Sequence, residues 1–326
     1  MRYRPFGRTG LDVSELIFGA GWVGGILIHQ DDATKRAALK RALGAGINWI
    51  DTAPSYGDGK SEEALGWLLE EVDRKPYLST KVRLDLGQLD DISGQIEASL
   101  EASLGRLRLD SVDLFQLHNP IGPTTSDRLL GVDQILGKGG VADVFDRLRA
   151  RGLTRFIGIT ALGQAAACRQ VIASGRFDSA QVYYNLLNPS AGQTMPPAWH
   201  GQNFGGLIAA CRAHGVAVMN IRVFAAGVIA TDQRHGREIA ITDDADLAIE
   251  GGRARAVFDR LGDRYGTRAQ TAIRFALANP DIAGVLAGMA ELAHLEEAVA
   301  AAAMGPLPEA ALAELRDLYA HDFGRV

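Results

Sequence analysis

Cysteine is nearly absent from this 326-residue sequence: Cys168 and Cys211 are the only two. So sparse a set forms neither a disulfide framework nor a metal-binding motif. Excess charge is missing as well. The 34 Lys and Arg stand against 39 Asp and Glu, a formal net charge of −5, which offers no basic field to nucleic acid or an anionic membrane. No apolar run is long enough to span a bilayer, and the opening residues, Met1-Arg2-Tyr3-Arg4-Pro5-Phe6-Gly7, lack a signal peptide's apolar stretch. Linkers rich in Pro and Ser are absent, as are residue-level repeats. The expectation is a cytoplasmic protein with one domain over residues 1–326, without nucleic acid, membrane or metal as partner. Nothing marks an oligomer interface.

What is present is core-forming material, with 47% hydrophobic and 22% charged residues. Residues 2–15 read as a hairpin around Gly7-Arg8-Thr9-Gly10. After it, apolar strands at 15–21, 47–52, 76–82, 111–118, 154–160, 180–185, 216–221 and 282–287 alternate with helical patterns. The strongest helix is 88–107, with Ile92, Ile96, Leu100, Leu104 and Leu107 on one face. Near-continuous apolar strands between helices argue for a parallel sheet covered by helices, and eight such units favour a closed (β/α)8 TIM barrel. The long strand-to-helix loops 119–140, 186–203 and 230–246 then lie on the catalytic face.

Gly19-Ala20-Gly21-Trp22-Val23-Gly24 fits the dinucleotide-binding glycine pattern after a strand. That pattern requires a helix opening directly onto the pyrophosphate. Here Gly25 follows and a credible helix starts only at Asp31-Asp32, so the stretch reads as a glycine-rich loop admitting a ligand to the strand end.

The stretch Asp51-Thr52-Ala53-Pro54-Ser55-Tyr56-Gly57 leaves the second barrel strand, while Lys81 and His118 end the third and fourth. Each residue has an ordinary reading alone: a turn cap, a packed phenol, a solvated strand end, a core histidine. Together, neighbouring strands would bring Asp51, Lys81 and His118 to one rim, with Tyr56 folding over them. A free phenol has a pKa of about 10, and an adjacent ammonium favours its ionised form. Such a set can pass a proton to or from a carbonyl oxygen but holds no hydride, so it needs a cofactor.

These residues, with Phe6-Gly7-Arg8-Thr9-Gly10-Leu11-Asp12-Val13-Ser14, Ser61-Glu62, Asp113-Leu114-Phe115-Gln116-Leu117-His118 and Gln181-Val182-Tyr183-Tyr184-Asn185, resemble the aldo-keto reductase superfamily nearly end to end. The resemblance implies a barrel that binds NAD(P)H without a Rossmann domain. Tyr56 is then the general acid/base, Lys81 and Asp51 tune it, and His118 orients the carbonyl. It further implies cofactor contacts at Gly21, Thr160, Gln181, Phe224, Gly227, Gly288, Glu291 and Glu297. Thr160 stands in place of the usual serine, and Ala161 in place of the usual asparagine.

Many members carry an arginine two residues after the glycine for the 2′-phosphate of NADP; this chain has Ala290. No Lys or Arg occurs between Leu286 and Ala303, while Glu291, Glu296 and Glu297 do. A ribose hydroxyl suits such surroundings better than a phosphate, so NAD(H) is expected over NADP(H), unless Arg264 or Arg268 reaches in. Val285-Leu286-Ala287-Gly288-Met289 and Val218-Met219-Asn220 are similar to a sugar-dehydrogenase branch that oxidises aldoses at C1. Trp22 and Asn119 are then candidates for substrate contacts. Two other readings remain at this point: a barrel lyase or aldolase with Lys81 as Schiff base, and a non-catalytic NAD(P)-binding subunit.

Overall fold

Two short strands, β1 (Tyr3–Pro5) and β2 (Asp12–Ser14), pair antiparallel around the expected turn. Four further strands follow, β3 (Leu16–Gly19), β4 (Trp49–Asp51), β5 (Tyr77–Val82) and β6 (Val112–Leu117). After the two-residue strands β7 (Ile121–Gly122) and β8 (Leu130–Gly131) come β9 (Thr154–Thr160), β10 (Ser179–Tyr183), β11 (Ala217–Ile221) and β12 (Ile282–Gly288). In this computed structural model, which describes residues 1–234, 236–239, 241–242 and 246–324, β3 to β6 and β9 to β12 close in chain order into a parallel barrel. The expected (β/α)8 architecture with its N-terminal hairpin is present.

The strands carry apolar residues on both faces because both are covered. Their outward side chains pack under the helices in one large core. Their inward side chains form a second, smaller core at the barrel's N-terminal end, built on Ile17, Trp49, Leu114 and Met219. The hairpin stoppers that end: Phe6 and Val13 are fully buried there, and the Phe6 ring lies 4.6 Å from that of Trp49. The opposite end is left for the site.

Among the described residues, four α-helices start on a side-chain cap, at Asp31, Asp91, Asp246 and Thr267. Asp31 accepts from Thr34 N ahead of helix Asp32–Gly44, and Thr267 with Gln270 makes a capping box for helix Arg268–Leu277. The helix expected over 88–107 is α-helical over Ile92–Leu107 behind a 3-10 turn. Two features differ from expectation. A one-turn helix, Ile26–His29, precedes the first long helix, begun by Gly25 at φ 68°. The loop 119–140 contains the β7–β8 pair and a short helix, Val132–Leu136. Residues 235, 240 and 243–245 of the expected collar 230–246 lie outside the described residues.

The early glycines act by close approach. A Cβ on Gly24 would sit 2.4 Å from Met289 N, and one on Gly19 would sit 2.9 Å from Ala287 O. They let the β3 loop pass against the end of β12. Among the described residues, no helix is long and apolar enough to cross a membrane.

Candidate active site

Strand alternation delivers the central side chains. On β5, Ser79 and Lys81 face inward; on β6, Gln116 does, followed by His118 one residue past the strand; β10 contributes Gln181. They converge on Asp51 at the end of β4, which is 1% exposed. Asp51 Oδ2 accepts from Lys81 Nζ at 2.6 Å. Its Oδ1 accepts from Ser79 Oγ at 2.7 Å, Gln181 Nε2 at 2.8 Å and Gln116 Nε2 at 3.2 Å. Trp49 Nε1 donates to Ser79 Oγ at 3.0 Å, tying this layer to the apolar one beneath.

Lys81 is wholly buried, and its three N–H bonds are all used. Besides Asp51, Nζ donates to Thr52 O at 2.7 Å and to Tyr56 Oη at 3.2 Å. Burial is the largest single influence on this ammonium and pushes its pKa down. The Asp51 carboxylate and the Tyr56 oxygen, by charge and hydrogen bond, together outweigh burial and hold it above the ordinary value. A Schiff-base lysine needs the opposite, a neutral amine with a free lone pair. The lyase reading fails on this geometry.

The turn that carries Tyr56 is held from two sides. Ser61 Oγ donates to Ala20 O at 3.0 Å and lies 2.8 Å from Thr52 Oγ1. The buried Glu62 carboxylate accepts from Thr80 Oγ1 at 2.5 Å and Arg106 Nε at 2.7 Å. Directly after Tyr56, residues Gly57, Asp58 and Gly59 adopt φ of 65°, 52° and 89°. Two glycines in three left-handed positions make that reversal possible. The phenol is thereby turned back over Lys81, whose Nζ lies 4.7 Å from its ring centroid.

The His118 ring stands edge-on to Tyr56, with centroids 6.1 Å apart and planes at 87°. Burial, and then the charges of Lys81, Arg83 and Arg222, push its pKa down to about 3. His118 is therefore a neutral imidazole at physiological pH.

A cleft of about 1480 Å³ opens above these groups, and Asp51, Tyr56, His118 and Trp22 line it. So do Gly21, Thr160, Gln181, Phe224, Gly227, Gly288, Glu291 and Glu297, the whole expected cofactor set. Their surroundings suit an extended polar ligand. A Cβ on Gly227 would meet nothing within 4 Å, and one on Gly288 or Gly21 would meet nothing closer than 4.0 or 3.8 Å. The buried Thr160 hydroxyl has no hydrogen-bond partner. Backbone strain is concentrated in the same wall: Arg222, Ala225 and Ala226 adopt positive φ of 61°, 45° and 58°.

Not every expected residue belongs to the cleft. Asn119 is 1% exposed, and its side chain accepts from Leu84 N at 2.7 Å and donates to Leu84 O at 2.9 Å. It staples the ends of β5 and β6 and is withdrawn as a substrate contact. Glu296 is held by Arg41 through bonds of 2.5 and 2.7 Å, and Glu297 accepts from the Thr267 hydroxyl. Arg264 is bound to Glu314 and Arg268 to Asp232, so each already has a carboxylate partner. The sequence reading missed Ser79, Gln116, Arg83 and Arg222; the inward parity of β5 and β6 would have found the first three.

A closed parallel barrel whose C-terminal rim carries a hydrogen-bonded Asp–Lys–Tyr chain beside a neutral imidazole defines a barrel oxidoreductase acting on a carbonyl or CH–OH group. The chain belongs to the aldo/keto reductase family, whose model matches residues 15–320; enzymes of this family use nicotinamide cofactors. It is 28% identical over 307 residues to L-galactose dehydrogenase of Arabidopsis thaliana, covering 91% of this chain and 87% of that enzyme. It is 29% identical over 264 residues to D-threo-aldose 1-dehydrogenase of a Pseudomonas species, covering 70% and 72%. The aldo-keto reductase AKR11C1 from Bacillus halodurans, in its holo form, has the same fold, with a TM-score of 0.74 over 98% of this chain and 96% of that one at 23% identity.

Proposed function

We propose that this protein transfers a hydride between NAD(P) and an aldose C1, or a related aldehyde, with Tyr56 giving and taking the proton. The observation that carries the reading is the position of Lys81 Nζ, bonded at once to Asp51 and to Tyr56 Oη. The aldose-oxidising relatives favour the sugar. When bound, nicotinamide accepts the C1 hydride in oxidation or supplies it in reduction.

In oxidation, Tyr56 Oη takes the proton of the C1 hydroxyl. To take it the phenol must first be ionised, and the negative charge on Oη, discharged as the proton arrives, stands 3.2 Å from the Lys81 ammonium. In this buried setting that attraction is far stronger than in water. Asp51 keeps the ammonium charged and aimed. His118, being neutral, offers a ring N–H to the substrate oxygen without adding a second cation beside Lys81. Trp22, 39% exposed at the rim, walls the substrate side.

The residues that would hold the cofactor are Gly21, Thr160, Gln181, Phe224, Gly227, Gly288, Glu291 and Glu297, with Gln181 already anchored through Nε2 to Asp51. Ala290 and the absence of Lys or Arg between Leu286 and Ala303 favour NAD(H) over NADP(H). The test follows nicotinamide absorbance with a panel of aldoses, pyridoxal-like aldehydes and simple aldehydes, with both cofactors in both directions. Aldose oxidation with NAD+ is expected. A hundredfold preference for NADPH would refute the cofactor assignment, and activity confined to non-sugar ketones would refute the substrate.

A further inference from the structure

Ser79 and Lys81 face into the barrel, so the same parity carries Arg83, the first residue past β5, into the mouth above Lys81. Arg83 is exposed and lines the cleft. Several exposed arginines elsewhere pair with carboxylates, among them Arg36 with Glu71, Arg108 with Glu70 and Arg151 with Glu97, while among the described residues Arg74 and Arg255 face solvent without such a partner. Arg83 has no ion pair or hydrogen bond among the described residues. Asp58 and Asp127 share the cleft, and neither pairs with it. Arg128, from the loop after the neighbouring strand β6, also lines the cleft with its guanidinium unpaired. Arg222, on the opposite side of the barrel, is committed to Ile239 O at 2.6 Å.

We propose that the substrate is an acidic sugar, an aldose carrying a carboxylate distal to C1, and that Arg83 binds that carboxylate. The proposal rests on the aldose-oxidising reading above and narrows it. A guanidinium facing a cleft without an acidic partner matches a carboxylate with two parallel N–H···O bonds, which a neutral hydroxyl cannot use in the same way. Arg83 and Arg128 stand on one side of the mouth, each guanidinium without a carboxylate partner among the described residues. They form a local field in which an anionic substrate is drawn toward the reacting end.

The test compares D-galacturonate with D-galactose, and D-glucuronate with D-glucose, using NAD+ and the full chain. The wild type should favour the acid by about tenfold or more in kcat/KM, less so as salt is raised. Arg83→Ala should raise KM for the acid by that factor and bring the acid-to-neutral ratio of kcat/KM down towards one, and Arg83→Lys should restore part of the ratio. Equal turnover of acid and neutral sugar by the wild type, or an equal loss for both in Arg83→Ala, would overturn the proposal. If no sugar is oxidised, the aldose reading falls, and titration calorimetry of D-galacturonate into the NAD+-loaded protein decides the anion site. Heat that disappears in Arg83→Ala supports it; heat unchanged in the variant, or absent from the wild type, overturns it.

Discussion

Replacing Asp51 with asparagine probes the centre of the site with almost no change in shape. The carboxylate accepts four hydrogen bonds, from Lys81, Ser79, Gln181 and Gln116. An asparagine offers one oxygen and one NH2. Whichever way it turns, its NH2 faces a donor: the Lys81 ammonium on one side, the Ser79 hydroxyl and two glutamine amides on the other. The larger effect is electrostatic. Lys81, with no exposure to solvent, keeps its burial and loses its counter-charge. Removing one partner of a buried pair costs about 3–5 kcal/mol.

That cost should depend on pH in a definite direction. In the wild type the Lys81 pKa is raised, so its stabilisation is complete below the unfolded value of about 10.4 and is lost only as pH rises through the higher folded value. In Asp51→Asn, burial is no longer outweighed and the folded value falls below the unfolded one. The unfolded chain then binds more protons, and stability increases with pH. Urea unfolding from pH 6 to 10 should therefore show a large wild-type-minus-variant difference at pH 6 that shrinks towards pH 10. Adding Lys81→Met to Asp51→Asn should recover stability, because the stranded charge is gone. A difference below about 1 kcal/mol that stays flat with pH, or a double variant weaker than the single one, would refute this electrostatic account.

Two further outcomes follow from the same geometry. Because the folded His118 pKa is near 3, the unfolded chain takes up a proton below about pH 6.5 that the folded chain refuses. Wild-type stability should thus fall relative to His118→Gln as pH drops from 6.5 to 4, by at most about 1.4 kcal/mol per unit; parallel urea profiles for the two would contradict a buried, neutral imidazole. Ala290→Arg should move the NADP/NAD ratio of kcat/KM upward by about tenfold through charge pairing with the 2′-phosphate; an unchanged ratio would place the adenosine end elsewhere.

Much of this site was legible because strand parity and barrel topology are simple rules. Asp51, Lys81 and His118 end neighbouring strands, so closure alone brings them together. The same rule, applied one step further, explains the error at Asn119: if His118 faces inward, its neighbour faces away, toward Leu84. Ser79 and Gln116 share the inward parity of Lys81 and His118, but a strand hydroxyl or amide gains a role only once its acceptor, Asp51, is placed. The Arg41–Glu296 bridge joins residues 255 positions apart, a pairing no local pattern encodes. The helix Ile26–His29 was hidden by Gly25, which is read as a breaker yet serves here as its left-handed N-cap. Arg83 shares that inward parity, but its meaning lies in the partner it lacks.

The central claim is that Tyr56 moves the proton while other groups bind the ligands. The most direct measurement is Tyr56→Phe, with cofactor binding followed by protein fluorescence and turnover by nicotinamide absorbance in the same preparation. The account predicts a cofactor Kd within a few-fold of wild type and a kcat reduced by about 10²–10⁴. A variant that binds cofactor normally and keeps most of its kcat would contradict it.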